Sequence, residues 1–159
     1  MSDRKTIFSE CRKYRYTLWR AWDMLNPAYA MFIGLNPSTA DETHDDPTVR
    51  RCIGYAKSWG YGALCMTNLF AFRATDPQDM KAAYSPVGLF NDVYLKQCAE
   101  DAGVVVAAWG THGIHQNRGT IVMKMLPGLL CLGVTKNGYP KHPLYLPLGL
   151  QPLPYKENL

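Results

Sequence analysis

Four short apolar runs, each followed by helix or turn signals, constrain this chain more than any other feature. They cover residues 29–35, 63–69, 104–108 and 129–134, and the third opens with three consecutive valines. Apolar runs this short, with little polar alternation, suit strands that are buried on both faces. Helix signals lie between them. Asp46-Pro47 reads as an N-cap with proline at the first helical position, and Gly60 sits where that helix should stop. Asp76-Pro77 opens a short helix, and Ser85-Pro86 opens a longer one ending near Gly103. Residues 114–126 read as a helix stopped by Pro127-Gly128. Alternating strands and helices imply right-handed βαβ units, hence a mostly parallel sheet with helices on both faces. Residues 12–22 mix basic with aromatic or apolar side chains and predict an antiparallel strand or hairpin arm. The tail from Lys136 is rich in proline and glycine and reads as loop.

The 159 residues carry no repeat and no Gly/Ser linker, so residues 1–159 read as one domain with a sizeable core. The net charge of +4 permits a polyanionic partner without requiring one. Cys11, Cys52, Cys65, Cys98 and Cys131 are odd in number and include no Cys-x-x-Cys pair, which argues against a disulfide framework or a thiolate metal cradle. With no apolar run of about 20 residues, the expectation is a cytoplasmic protein without a membrane partner.

Parallel sheets bind ligands beyond the carboxyl ends of their strands. That rule selects Gly34-Leu35-Asn36-Pro37-Ser38, Thr67-Asn68-Leu69-Phe70, Trp109-Gly110-Thr111-His112 and the loop carrying His142. Asn36 and Asn68 each bring two donors and an acceptor to a strand end. The plain alternative for Asn36 is an Asx turn, and for Asn68 a bond to a neighbouring loop. The alternative for His142 is a solvated loop histidine. His112 and His115 lack a third ligand at metal-like spacing, so no metal is expected. The acidic run Asp41, Glu42, Asp45 and Asp46 reads as a helix cap and a solvated loop. Phosphate-loop, dinucleotide and nucleophile-elbow motifs are absent, and no cofactor is expected.

These segments resemble, in order, the motifs of the uracil-DNA glycosylase superfamily. Gly34 to Ser38 looks like its first motif, Thr67 to Phe70 its second-strand asparagine motif, Val104 to Gly110 its third strand, and His142-Pro143 its last motif. The stretch Gly34 to Asp41, with Asp46 to Cys52 and Asn68 to Pro77, is more similar still to a bacterial and phage family of unknown function. The superfamily resemblance implies a three-layer α/β/α domain around a four-stranded parallel sheet of order 2-1-3-4. It also implies a DNA or nucleotide partner and hydrolysis of an N-glycosidic bond to a uracil-like or modified base. Asn36 would position water, Asn68 would hold the base edge and His142 would donate to the leaving base. Gly34, Leu35, Pro37, Ser38 and Phe70 would line the base pocket, with Phe72 a second stacking candidate. Leu144 or Leu146 would wedge into the stack, and Arg50, Arg51, Arg73 and Lys141 would contact phosphates. Leu144 stands where active glycosylases usually carry serine. Two further readings stay open: a binding module that does not cleave, and an enzyme on free nucleotides or nucleosides.

Overall fold

The computed structural model describes residues 4–156. Its strands are β1 (Arg4–Phe8), β2 (Arg15–Ala21), β3 (Tyr29–Gly34), β4 (Ala63–Asn68), β5 (Val104–Ala107), β6 (Leu130–Cys131) and β7 (Leu153–Pro154). Its helices are α1 (Pro47–Ser58), α2 (Pro77–Ala82), α3 (Asn91–Glu100) and α4 (Arg118–Met125), the last preceded by a 3₁₀ segment over Thr111–Asn117.

All seven strands join one sheet in the order β1-β2-β4-β3-β5-β6-β7. β3 runs parallel to both β4 and β5, and β5 parallel to β6. β1/β2, β2/β4 and β6/β7 are antiparallel. The sheet is therefore mixed and seven-stranded. This corrects the expectation of a four-stranded parallel sheet in a three-layer α/β/α domain. The antiparallel strand expected within 12–22 is present as β2, hairpinned with β1, but it belongs to the sheet: β2 closes the edge of β4 from Leu18↔Met66 to Ala21↔Ala63. An uncovered β4 edge would leave backbone groups unpaired, and β2 satisfies them. β2 carries Arg15 and Arg20, both buried, so the basic residues of this stretch do not mark a solvated face. The fourth run yields only the two residues of β6, and part of the loop-like tail returns as β7.

The local signals for helix starts hold better. Asp46 Oδ1 accepts the Val49 N–H at 2.8 Å, and Asp76 Oδ1 accepts that of Gln78 at 2.9 Å. The helix expected from Ser85-Pro86 begins only at Asn91. The helix expected over 114–126 is broken by left-handed Gln116 and Asn117, at φ 52° and 55°.

Two buried clusters hold the molecule together. α1 contributes Val49, Cys52, Tyr55 and Ala56 to one, against Phe32, Leu64 and Val106. Met80, Leu95, Cys98 and Val122 from the other helices join Met31, Ile33 and Cys65 in the second. Met31 and Phe32, adjacent on β3, fall in different clusters because successive side chains of a strand point to opposite faces.

A bulge in the first hairpin has consequences for the site. Ile7 pairs with Thr17 but Phe8 with Arg15, so Tyr16 is the extra residue on β2. A bulge re-aims the side chains on its two sides. Tyr16 stacks on Tyr94 of α3 at 5.1 Å, while Arg15 reaches the Ala40 carbonyl beside α1.

Candidate functional site

A cleft of about 760 Å³ opens beyond the carboxyl ends of β3, β4 and β5. Its volume lies within the range of sites for small molecules and cofactors. Three segments meet there: the loop after β3, the end of β4, and the loop bearing His142.

Gly34 and Asn68 are register partners at the ends of β3 and β4. A Cβ built on Gly34 would lie 2.8 Å from Asn68 Oδ1, so the first motif needs glycine for the asparagine to fit. Asn68 is 3% exposed, and its Nδ2 has no hydrogen-bond partner among the described residues. The backbone around it is fixed: Asn91 Nδ2 donates to the carbonyls of Asn68 and Leu69 at 2.9 and 3.0 Å, and Arg118 Nε to that of Leu69 at 2.9 Å. Buried amide donors are normally satisfied, and this unpartnered one belongs to a residue that lines the cleft.

Asn36 is anchored differently. Its Nδ2 donates to the carbonyls of Ala74 at 2.7 Å and Pro37 at 3.2 Å. Both partners are acceptors, so the amide orientation is fixed by chemistry and its Oδ1 is left without a protein partner among the described residues. The local-backbone alternative thus accounts for the nitrogen and not the oxygen.

His142 is held by a turn. Thr135 N–H donates to Tyr139, Lys141 N–H to Gly133 and Gly110 N–H to Pro140, at 2.7, 2.9 and 2.9 Å, which fixes the loop against the end of β5. The Leu144 N–H donates to His142 Nδ1 at 3.1 Å. Nδ1 is therefore the acceptor nitrogen, and the neutral ring carries its proton on Nε2. Partial withdrawal from water lowers the pKa of this imidazole, and the negative charge of Asp46 opposes the shift.

Of the residues selected from sequence, Gly34, Leu35, Asn36, Pro37, Ser38, Asn68, Lys141, His142, Leu144 and Leu146 line the cleft. The others lie elsewhere. Phe70 is fully buried in the second cluster, against His115 at 5.5 Å, because its strand-end position turns it into the core. Phe72 packs on Tyr14. Arg51 donates to the Leu146 carbonyl, Arg50 to that of Asp45 at 2.7 Å, and Arg73 to that of Arg12 at 3.1 Å. Each of these three arginines thus has a bond to a backbone carbonyl, and none of them lines the cleft. Trp109, Gly110, Thr111 and His112, picked out by strand-end position, also line the cleft, whereas sequence reasoning missed Arg15, a nearly buried cleft residue. Nothing local marked Arg15. Among the described residues, no three His, Cys, Asp or Glu side chains gather as a metal site. No described helix is long and apolar enough to cross a membrane.

No curated protein and no solved structure matches the chain. One family profile does, that of a protein of unknown function, over residues 15–144. Nothing in these matches connects it to the uracil-DNA glycosylase superfamily. The matched span runs from Arg15 to Leu144, two cleft residues, and takes in the loop after β3, the end of β4 and His142. The chain belongs to the DUF1643 family of unknown function.

Proposed function

We propose that the cleft binds a nucleobase and that the protein hydrolyses the N-glycosidic bond joining a uracil-like or modified base to its sugar. The observation that carries this reading is the buried Asn68 amide, its nitrogen without a partner among the described residues, in one cleft with Asn36 and His142. Support for the wider glycosylase kinship is the order of the four motifs along the chain. Asn36 Oδ1 accepts a hydrogen bond from water and aims it at the anomeric carbon. The oxygen–carbon bond forms as the carbon–nitrogen bond breaks, and the electron pair leaves with the base. His142 Nε2–H donates to the base oxygen where negative charge develops, which stabilises the departing anion. Asn36 is neutral, so the proton of the water passes to solvent and the base is protonated from solvent. Weak base assistance of this kind makes for a slow enzyme. Asn68 Nδ2 donates to an acceptor on the base edge. The partner is a nucleic acid or a nucleotide.

The test is release of free base from uracil-containing and modified oligonucleotides, nucleosides and nucleotides, with chelator present. Asn36→Ala and His142→Ala should each lower the rate by ~10²–10³, as loss of one oriented donor or acceptor does. The two act on one transition state, so their effects need not add. Activity that survives both substitutions overturns the mechanism. Base binding without any release would make the protein a recognition module.

A further inference from the structure

Three arginines are buried among the described residues: Arg15 and Arg20 at 2% exposure and Arg118 at 4%. Arg20 pairs with Asp45 at 2.7 Å, and Arg118 pairs with Asp92. Arg15 has no carboxylate partner among the described residues. Its Nη1 donates to the Ala40 carbonyl at 3.1 Å, and its buried Nε donates to nothing. Buried charges are normally paired, since a desolvated cation alone is unfavourable. Asp46 attracts Arg15, but its Oδ1 caps α1 on the Val49 N–H at 2.8 Å. Burial lowers the Arg15 pKa to about 10, aided by the charges of Arg73 and Arg20, so the guanidinium is still a cation at neutral pH. Arg15 lines the same cleft as Asn68.

We propose that Arg15 anchors a phosphate group in this cleft, so that the substrate is a free 5′-nucleotide and not a base within a polymer. The proposal rests on the base-binding reading of the same cleft. The bond to Ala40 uses Nη1 and leaves the Nε–Nη2 edge, the fork that takes two oxygens of one phosphate. A terminal phosphate presents open oxygens on a small group that can reach a guanidinium 2% exposed. A backbone phosphodiester carries sugar on both sides and is kept from such depth. A polymer also calls for a row of free cations at the surface. Of the four cations expected to touch phosphates, only Lys141 lines the cleft.

The experiment titrates the intact protein with deoxyuridine, deoxyuridine 5′-monophosphate, inorganic phosphate and a uracil-containing oligonucleotide lacking terminal phosphates, followed by calorimetry. The monophosphate should bind at least ~10-fold more tightly than the nucleoside, a contribution typical of a charged hydrogen-bonded pair. Arg15→Lys keeps the charge and loses the fork; it should reduce that ratio toward one while nucleoside affinity holds. Arg15→Met serves as a second variant with the same expectation, and circular dichroism establishes that each is folded. Equal binding of nucleoside and monophosphate overturns the proposal and leaves base recognition standing. So does an oligonucleotide bound or cleaved in preference to the monophosphate. Inorganic phosphate binding that Arg15→Lys abolishes, with no nucleoside bound, supports the anion site and overturns base recognition instead.

Discussion

At the scale of single residues, the site is set by which polar atoms the fold leaves open. Asn36 and Asn68 have the same chemistry and different arrangements: the first has its nitrogen bound to backbone and its oxygen open, while the second has a buried nitrogen without a partner among the described residues. His142 completes the set because the Leu144 N–H assigns its tautomer. That bond and the withdrawal from water both favour the neutral ring, and the consequence for stability has a definite sign. His142 takes up its proton at lower pH in the folded chain than in the unfolded one. The unfolded chain then holds more protons in the window just below the ordinary histidine value of about 6.5, so this residue's contribution is lost as pH falls through that window. Proton NMR should show a His142 midpoint below that value. Unfolding measured across the same range should lose that part of its pH slope in His142→Gln. A midpoint above the ordinary value would contradict the tautomer assignment.

At the scale of elements, α1 organises two sides of the cleft. Its N-terminus supplies Asp46, Pro47, Thr48 and Val49 to the wall. Farther along, Arg51, Tyr55 and Trp59 recur at four-residue intervals and so share one helix face. They donate to the carbonyls of Leu146, Pro147 and Leu150, the first two through Nη2 and the phenol and the third through the indole at 2.9 Å. This ladder ties down the tail that follows His142, and it is the use the fold makes of Arg51. The aromatic rings also pack, with Trp59 stacked on Phe32 at 5.7 Å and on Tyr55 at 5.6 Å. Tyr55→Phe keeps the ring and removes one donor, leaving the Pro147 carbonyl to find another partner. It should cost about 1 kcal/mol in denaturant unfolding. Asp46→Ala removes the cap and should cost about 1 kcal/mol as well. A Tyr55→Phe protein as stable as the parent would mean that the ladder contributes nothing measurable.

At the scale of the whole molecule, a mixed sheet places an unpaired cation at the functional end of its parallel strands. β2 brings Arg15 there only because it pairs antiparallel with β4 and bulges at Tyr16. An unpaired buried charge opposes folding until a ligand neutralises it. Arg15→Met should therefore leave the melting temperature unchanged or raise it, in spite of the lost bond to Ala40. Inorganic phosphate should stabilise the parent protein, by ~2.7 kcal/mol at a hundredfold excess over its dissociation constant, and should do nothing for the variant. Scanning calorimetry of both proteins with and without phosphate checks this. A large fall in the melting temperature of Arg15→Met would make the guanidinium a support of the fold.

The sequence by itself determined what depends on neighbours along the chain. Apolar runs marked β3, β4 and β5, and Asp-Pro pairs marked the starts of α1 and α2, since burial of a strand and capping of a helix are local demands. Strand-end position drew attention to Asn36, Asn68 and His142, which line one cleft. The tertiary structure alone decided the rest. Sheet order depends on which distant edge is left uncovered, so the antiparallel strand read within 12–22 could not be placed on β4, and β7 was not recognised as a strand. Phe70 turned into the core, and three of the four cations expected to touch phosphates bonded instead to carbonyls far along the chain or in a neighbouring loop. Arg15 was illegible for the same reason: only the packing around it shows that it is buried and forms no ion pair among the described residues.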